Sequence, residues 1–174
     1  MGAPVRNLSV YFSWKGNLMD IKIRPATHQD AEGIIMILAD TGWYSNINAN
    51  PIQTRQLIEK HLWQLNDASN QSVLVVETEQ KIVGYITLYW MSYYTSYPSE
   101  LFECYVSELY IHPNYQNSGL GTALLEHAKD LARSKGCPKL TLISAKHRGS
   151  YDFYKKLGWA ERTDLVEFDW RLNS

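Results

Sequence analysis

One continuous segment, 103–142, constrains the fold of this chain more than any other feature of its sequence. A strand-like run is followed by a turn with two glycines, a helical pattern over about 119–135 and a second strand-like run. Such a strand–helix–strand unit predicts two parallel, neighbouring strands joined by a right-handed crossover. The helix has one apolar stripe at helical spacing. Its members are Leu120, Leu124, Leu125, Ala128, Leu131 and Ala132.

The rest of the chain alternates between the two-residue period of strands and the 3.6-residue period of helices. This order predicts an α/β (α+β) fold in which a mixed sheet has helices on its faces. The last strand offers Leu165, Val166, Phe168 and Trp170 for packing. The predicted elements outside the central unit are strand 21–24, helices 30–42 and 51–69, strands 73–77 and 82–90, helix 149–158 and strand 164–172.

Residues 1–18 are expected to be a loose N-terminal extension outside the compact domain. Their apolar stretch Val10–Phe12 is too short for a signal peptide and is interrupted by Ser13 and Lys15. Met19 opens a clean alternating strand, so we expect a single domain over 19–174. An alternative start codon or a segment of vector origin would explain the preceding residues.

Charge and hydropathy exclude several classes of partner. The formal net charge is −1, so no global field favours nucleic acid or an anionic membrane. No apolar run approaches the ~18 residues that a membrane-spanning helix needs. Cys104 and Cys137 have no metal-ligand spacing and are expected to be a reduced pair. We therefore expect a cytoplasmic protein with no metal site and with neither nucleic acid nor a membrane as partner.

The glycine turn, residues 116–121 ("QNSGLG"), has two interpretations. Gly119 and Gly121 permit close approach to the main chain, and the first turn of a helix has free N–H groups and a partial positive charge. Together these make an anion site suited to a pyrophosphate, to which Gln116 and Ser118 add side-chain donors. Alternatively, the turn only reverses the chain, the interpretation that two glycines alone favour. A P-loop and a dinucleotide fingerprint are both excluded by spacing.

Three motifs in the correct order resemble one family. Gln116–Gly121 resembles the Q/R-x-x-G-x-G/A signature of the GNAT superfamily of acyl-CoA-dependent N-acyltransferases. "FYKKLGW", Phe153–Trp159, resembles its second hallmark, and "IKIRPATHQDAEGI" resembles its first strand and helix. The resemblance covers about residues 19–170. It implies the GNAT fold, a mixed, mostly antiparallel sheet with a central splayed parallel strand pair and helices on both faces.

The resemblance also implies acetyl-CoA as the cofactor. The pantetheine arm would lie between strand 103–111 and strand 140–145, and the pyrophosphate would rest on the amides of the glycine turn. His147 replaces an Asn of many relatives, so it would either bond the cofactor arm or line the entrance. The implied cofactor-binding residues are Leu109, Tyr110, Ile111, Gln116, Asn117, Ser118, Gly119, Leu120, Gly121, Thr122, His147 and Tyr154.

Two catalytic residues follow from the same resemblance. Tyr154 would hydrogen-bond or protonate the departing thiolate, and Glu108 would accept the proton of the attacking amine. Weaker alternatives to Glu108 are Glu103, Tyr110 and His112. The N–H of Leu109 or Tyr110 would polarise the thioester carbonyl. No cysteine lies in the matched motifs, which disfavours a covalent acyl-enzyme, although Cys104 lies near the sheet.

The acceptor side is expected to be aromatic and mildly acidic. It would take a cationic amine, small molecule or peptide, held partly by cation–π contacts. The predicted function is transfer of an acetyl group to a primary amine by direct attack in a ternary complex, in a monomer or homodimer. The alternative is a non-catalytic acyl-CoA-binding regulatory or sensor module. The predicted substrate-binding residues are Trp43, Tyr44, Tyr93 and Tyr97, with Tyr94, Asp40, Glu100 and Glu103 nearby.

Overall fold

The computed structural model describes residues 8–14, 16–40, 52, 55–56, 59–60, 70–92, 102–166 and 168. The chain divides into two compact units, residues 1–142 and residues 143–174. The strands are β1 Leu8–Trp14, β2 Asn17–Pro25, β3 Gln71–Thr78, β4 Lys81–Ser92, β5 Phe102–Ile111 and β6 Leu140–Thr141. The helices are α1 Ala31–Asp40, α2 Leu120–Ser134 and α3 Gly149–Lys156, with 3-10 turns at His28–Asp30 and Pro113–Tyr115. Residues 52, 55–56 and 59–60 are also helical, inside the predicted helix 51–69.

The first unit holds one six-stranded sheet with the order β1-β2-β3-β4-β5-β6. Neighbours from β1 to β5 are antiparallel, and β5 and β6 are parallel. This confirms the predicted mixed sheet and the parallel pair that α2 connects. The pair is short, because β6 meets β5 only at Cys104↔Leu140 and Tyr105↔Thr141. The predicted strand over 140–145 therefore ends at Thr141.

The N-terminal residues take a place in the sheet that the sequence analysis did not expect. Residues 8–14 form β1 and pair with β2 from Leu8↔Ile23 to Trp14↔Asn17. The turn between these strands contains Gly16, which has a φ of 81°. A two-residue connection with a glycine at positive φ is a common hairpin turn, and the hairpin gives the apolar alternation of residues 8–14 a partner strand.

The core is divided between the two faces of the sheet. On one face α1 packs through Ile34, Ile37 and Leu38 against the side chains of Val73, Val75 and Tyr85. Alternation along the strands turns Leu74, Val76, Ile86 and Leu88 to the opposite face, where they are fully buried. The stripe of α2 is also buried, and α2 packs against β3, β4 and β5. Helices on both faces were predicted and are confirmed.

An ion-pair network joins β2, β3 and the start of α1. Arg24 donates to both carboxylate oxygens of Asp30 at 2.8 Å and to Glu77 at 2.9 Å. Asp30 also accepts from the N–H and hydroxyl of Thr27, and the bond from the N–H is one half of a capping box. Burial alone would raise the pKa of Asp30, but the bonds from Arg24 and Thr27 outweigh it and lower that pKa.

The second unit contains α3 and the segment that follows it. α3 lies within the predicted helix and is followed by Gly158 in the left-handed region, with a φ of 80°. Residues 164–166 and 168 are not in a strand, although the sequence predicts one over 164–172. Leu165, Val166 and Phe168 are 60%, 75% and 91% exposed, so these three side chains do not pack as predicted. The other residues of 164–172 lie outside the described part of the chain.

Candidate active site

A β-bulge at Ser107 interrupts the ladder between β4 and β5. Thr87 pairs with Glu108, whereas the next residue of β4, Leu88, pairs with Val106. Ser107 is therefore the extra residue on β5, and a bulge of this kind bends its strand and increases the local twist. The bulge lies between the part of β5 that pairs with β6 and the part that does not. It explains why β5 and β6 separate after Tyr105 and Thr141.

Beyond the bulge, residues 108–111 of β5 pair with β4 but with no second strand in the described part of the chain, and we call this side of β5 its open edge. Ile111 pairs with Gly84, and the N–H of His112 donates to Val83 O at 2.9 Å. This bond identifies Ile111 and Gly84 as a non-hydrogen-bonded pair, whose own peptide groups point away from the partner strand. By alternation, Leu109 and Ile111 present N–H and C=O groups at the open edge, while the groups of Tyr110 point to β4. The open edge can thus pair with an extended ligand.

The glycine turn lies between the 3-10 turn and α2. Asn117 and Gly119 have positive φ values of 59° and 89°, which turn the chain sharply into the helix. Gly119 is the N-cap of α2, and no side chain caps that helix end. In the described part of the chain, the N–H groups of residues 117–122 donate to no protein acceptor. Six unpaired donors at a helix start, where the dipole is positive, can bind an anion, and we call residues 117–122 the anion site.

Two side chains of the turn are used differently from the sequence prediction. The hydroxyl of Ser118 donates to Tyr115 O at 2.5 Å and is nearly buried. The amide of Gln116 donates through Nε2 to Ile111 O at 3.0 Å. Ser118 therefore supports the turn from inside, and Gln116 ties it to the end of β5. The anion site consists of main-chain groups.

Glu108 lies half-buried on the face of the sheet that α1 covers. Its Oε2 accepts a hydrogen bond from Thr87 Oγ1 at 3.3 Å. Burial, and then the charge of Glu108, raise the pKa of Tyr89. Thr87 was not identified from the sequence, because its position opposite Glu108 depends on the register and the bulge.

The weaker alternatives to Glu108 have structural contacts of their own. Tyr110 packs against Tyr85, with ring centroids 5.4 Å apart. His112 accepts through Nδ1 from the N–H of Asn114 at 3.2 Å, which supports the 3-10 turn. Glu103 forms an ion pair with Lys139 at 3.1 Å and lies on the far side of the bulge. Each of these three residues therefore has a structural contact, as Glu108 has with Thr87.

The second unit contains Tyr154 and His147. The ring of Tyr154 packs between those of Phe153 and Trp159, at centroid distances of 5.2 and 5.6 Å. Burial raises the pKa of Tyr154 to about 12, so the phenol keeps its proton at neutral pH and can donate a hydrogen bond. His147 is exposed in the turn before α3.

The cysteines are poor nucleophiles. Cys104 and Cys137 are both buried and both free thiols. Burial raises the pKa of Cys104 to about 12 and also raises that of Cys137. Because the thiolate is the reactive form, neither residue is suited to carry an acyl group at neutral pH.

The predicted acceptor residues Trp43, Tyr44, Tyr93 and Tyr97, with Tyr94 and Glu100, lie outside the described residues. Among the residues described, no three His, Cys, Asp or Glu side chains form a group that could hold a metal ion. The same residues include no helix with the length and hydropathy to cross a membrane.

An anion site at a helix start beside an open strand edge could hold an extended, phosphate-bearing ligand. Comparison with known proteins identifies the class: residues 41–159 match the model of the acetyltransferase (GNAT) family. This match covers more than half of the chain, which therefore belongs to that family, as the motifs predicted.

Two curated relatives match shorter segments. Bovine (Bos taurus) thialysine N-epsilon-acetyltransferase is 31% identical over 48% of this chain and 47% of its own length. Glucosamine 6-phosphate N-acetyltransferase of Trypanosoma brucei brucei is 38% identical over 37% of this chain and 43% of its own length. The chain thus spans less than half the length of these relatives.

A solved aminoglycoside N-acetyltransferase, AAC(6')-Iy in complex with CoA, has a TM-score of 0.71 to this chain at 12% identity. The likeness covers 88% of this chain and 96% of that structure. At this identity the likeness concerns the fold, and it confirms the predicted fold class.

Proposed function

We propose that this chain is an N-acetyltransferase that moves an acetyl group from acetyl-CoA to a primary amine, by direct attack in a ternary complex. The observation that carries the proposal is the row of unpaired N–H groups at residues 117–122. A diphosphate has enough acceptor oxygens to engage several of these donors at once. The positive end of the α2 dipole adds to the attraction for the diphosphate. Because the donors are main-chain groups, they do not depend on the side chains at these positions, which suits a ligand shared across the family.

The open edge of β5 supports the second part of the cofactor site. The pantetheine arm of CoA carries two amide groups, which can pair with a strand edge as another strand does. The peptide groups of Leu109 and Ile111 face this edge, and Gln116 already donates to the carbonyl of Ile111. We therefore assign the main-chain contacts chiefly to Leu109, whose N–H is also our candidate donor to the thioester oxygen.

The chemistry requires a proton acceptor and a proton donor. A neutral amine nitrogen attacks the thioester carbon, the C–S bond breaks, and the electron pair leaves on the sulfur. Glu108 accepts the proton that the nitrogen gives up, directly or through a water molecule. Tyr154, which burial keeps protonated, donates a hydrogen bond or its proton to the departing thiolate. The roles of Tyr154 and His147 rest on the family resemblance.

The acceptor is proposed to be a small cationic amine. Both curated relatives described above are named for the acetylation of small amines, an amino-acid analogue and an amino sugar. In this chain the half-buried residues Tyr89, Tyr105 and Tyr110 lie at paired positions near Thr87 and Glu108. Aromatic rings and a carboxylate together can bind a cation that has an apolar body. Trp43, Tyr44, Tyr93 and Tyr97 remain candidate acceptor residues from the sequence.

The proposal is tested with purified full-length chain, acetyl-CoA and a panel of primary amines that includes lysine analogues and amino sugars. Release of free CoA thiol is followed together with the mass of the acetylated amine. We expect amine-dependent turnover that Glu108→Gln lowers by about 10²-fold or more, as loss of a general base does. Tight binding of acetyl-CoA with no acetylated product from any amine would support the sensor alternative.

A further inference from the structure

We propose that Thr87 is a positioning residue that holds the Glu108 carboxylate in the orientation needed to accept the amine proton. This inference rests on the proposed function, because it concerns the base of that reaction. Thr87 itself does not touch the reacting atoms. It acts through the hydrogen bond from its Oγ1 to Glu108 Oε2.

The backbone places the two residues together. Thr87 and Glu108 are directly opposite on antiparallel strands, so their side chains project from the same face of the sheet. The bulge at Ser107 immediately precedes Glu108 and decides which face Glu108 occupies. Without the bulge, the register of Val106↔Leu88 would continue with Ser107 opposite Thr87, and Glu108 would lie opposite Ile86.

The Thr87 side chain is stiffer than the Glu108 side chain, so their contact restrains the carboxylate more than it restrains the hydroxyl. Thr87 is 3% exposed and β-branched, so its χ1 is restricted by its own shape and by its neighbours. Glu108 is half-buried and has three rotatable bonds that Thr87 can restrain. A carboxylate has about four lone-pair positions, and the bond from Thr87 occupies one of them.

A second buried threonine on the neighbouring strand shows that burial alone does not explain the contact. Thr78 on β3 is also 3% exposed, and its Oγ1 has no hydrogen-bond partner. Its replacement by Val removes a buried hydroxyl of the same kind but breaks no bond. Thr78→Val is therefore a matched control for Thr87→Val.

The experiment measures kcat and KM for Thr87→Val, Thr87→Ser and Thr78→Val, with the melting temperature of each variant. We expect Thr87→Val to lower kcat by about ten-fold or more, since small misplacements of a catalytic group are costly. The KM for acetyl-CoA should stay unchanged. Thr87→Ser, which keeps the hydroxyl, should restore most of kcat, and Thr78→Val should match the unmodified chain.

A double variant tests whether Thr87 acts through Glu108. If it does, Thr87→Val combined with Glu108→Gln should have the same kcat as Glu108→Gln alone. Multiplicative losses would overturn the proposal, as would full activity of Thr87→Val or a folded Thr87→Ser as impaired as Thr87→Val. Should Thr87→Val not fold, Thr87→Ala replaces it with the same expectations.

These outcomes separate this inference from the proposed function. No turnover by the unmodified chain with any amine would overturn both. Unchanged activity of Glu108→Gln would remove Glu108 as the base and this inference with it. A strong loss in Glu108→Gln with none in Thr87→Val would overturn only the positioning role.

Discussion

Gly84 on β4 lies so close to Ile111 on β5 that a Cβ atom on Gly84 would be 2.5 Å from Ile111 Cδ1. The same Cβ would lie 3.0 Å from the carbonyl oxygen of Tyr110. Side chains of a non-hydrogen-bonded pair are close, so an alanine at position 84 would require the Ile111 side chain to shift. Gly84 thus sets the position of the open edge of β5, which we propose as the binding edge for the pantetheine arm.

Gly84→Ala should displace the end of β5. We expect a loss of about 1–3 kcal/mol in the free energy of unfolding, as overpacking causes, and weaker binding of CoA. Urea denaturation and calorimetric titration with CoA measure the two effects. Gly149→Ala is the control for stability, since a Cβ at the start of α3 meets no atom within 4 Å. Unchanged CoA affinity in a destabilised Gly84→Ala would show that the open edge does not bind the arm.

Two glycines with similar backbone conformations can separate a loss of anion binding from the effect of backbone strain. Gly119 and Gly136 lie at the two ends of α2, with φ values of 89° and 72°. An alanine at either position costs about 1–2 kcal/mol of stability, because L residues disfavour this region. Only Gly119→Ala should also weaken CoA binding, by about ten-fold or more, since it alone lies in the glycine turn. Equal affinity in the two variants would place the pyrophosphate elsewhere.

Tyr154→Phe should lower kcat and leave the dissociation constant of acetyl-CoA nearly unchanged. Tyr151→Phe on the same helix is the control, because the Tyr151 hydroxyl donates instead to Glu161 at 2.8 Å. Comparable kcat values in the two variants would argue against Tyr154 as the proton donor.

The pKa of Tyr154, about 12, also predicts a pH dependence. The phenol is protonated throughout the range from pH 6 to 10, so Tyr154 should cause no fall in kcat there. Its folded-state pKa lies above the ordinary value of 10. Its contribution to stability is therefore complete below pH 10 and is lost as the pH rises towards 12. Denaturation of the unmodified chain and of Tyr154→Phe at pH 8 and pH 11 measures this difference.

Asp30→Asn should destabilise the first unit by about 2–4 kcal/mol at pH 7, because it leaves Arg24 with one carboxylate partner instead of two. The pKa of Asp30 is lowered in the folded state, so its contribution is present above the unfolded pKa and lost as the pH falls through the folded one. The difference between the two proteins should therefore shrink below about pH 4.

Asp130→Asn provides the comparison for this ion pair. Asp130 and Arg133 on α2 are 74% and 67% exposed, and exposed pairs contribute little. We expect a change below about 0.5 kcal/mol. A similar loss in both variants would contradict the importance of burial in the Arg24 network.

The order of the elements could be predicted because each depends on local periodicity. The apolar stripe of α2 and the alternation in β3, β4 and β5 identified these elements within a few residues of their observed bounds. The glycine turn could also be located, because it is formed by residues that are adjacent in the sequence. β1 was missed, since its short alternating run depends on pairing with β2.

The sequence by itself determined the strand–turn–helix unit and the family, and the resemblance to that family implied the roles that we propose for Glu108 and Tyr154. Only the tertiary structure decided the bulge at Ser107, the contact of Thr87 with Glu108 and the outward peptide groups of Leu109 and Ile111. It also turned the Ser118 hydroxyl inward. The reason is physical: periodicity is encoded along the chain, whereas register and bulges arise from pairing between strands and are expressed only when these meet in the folded sheet.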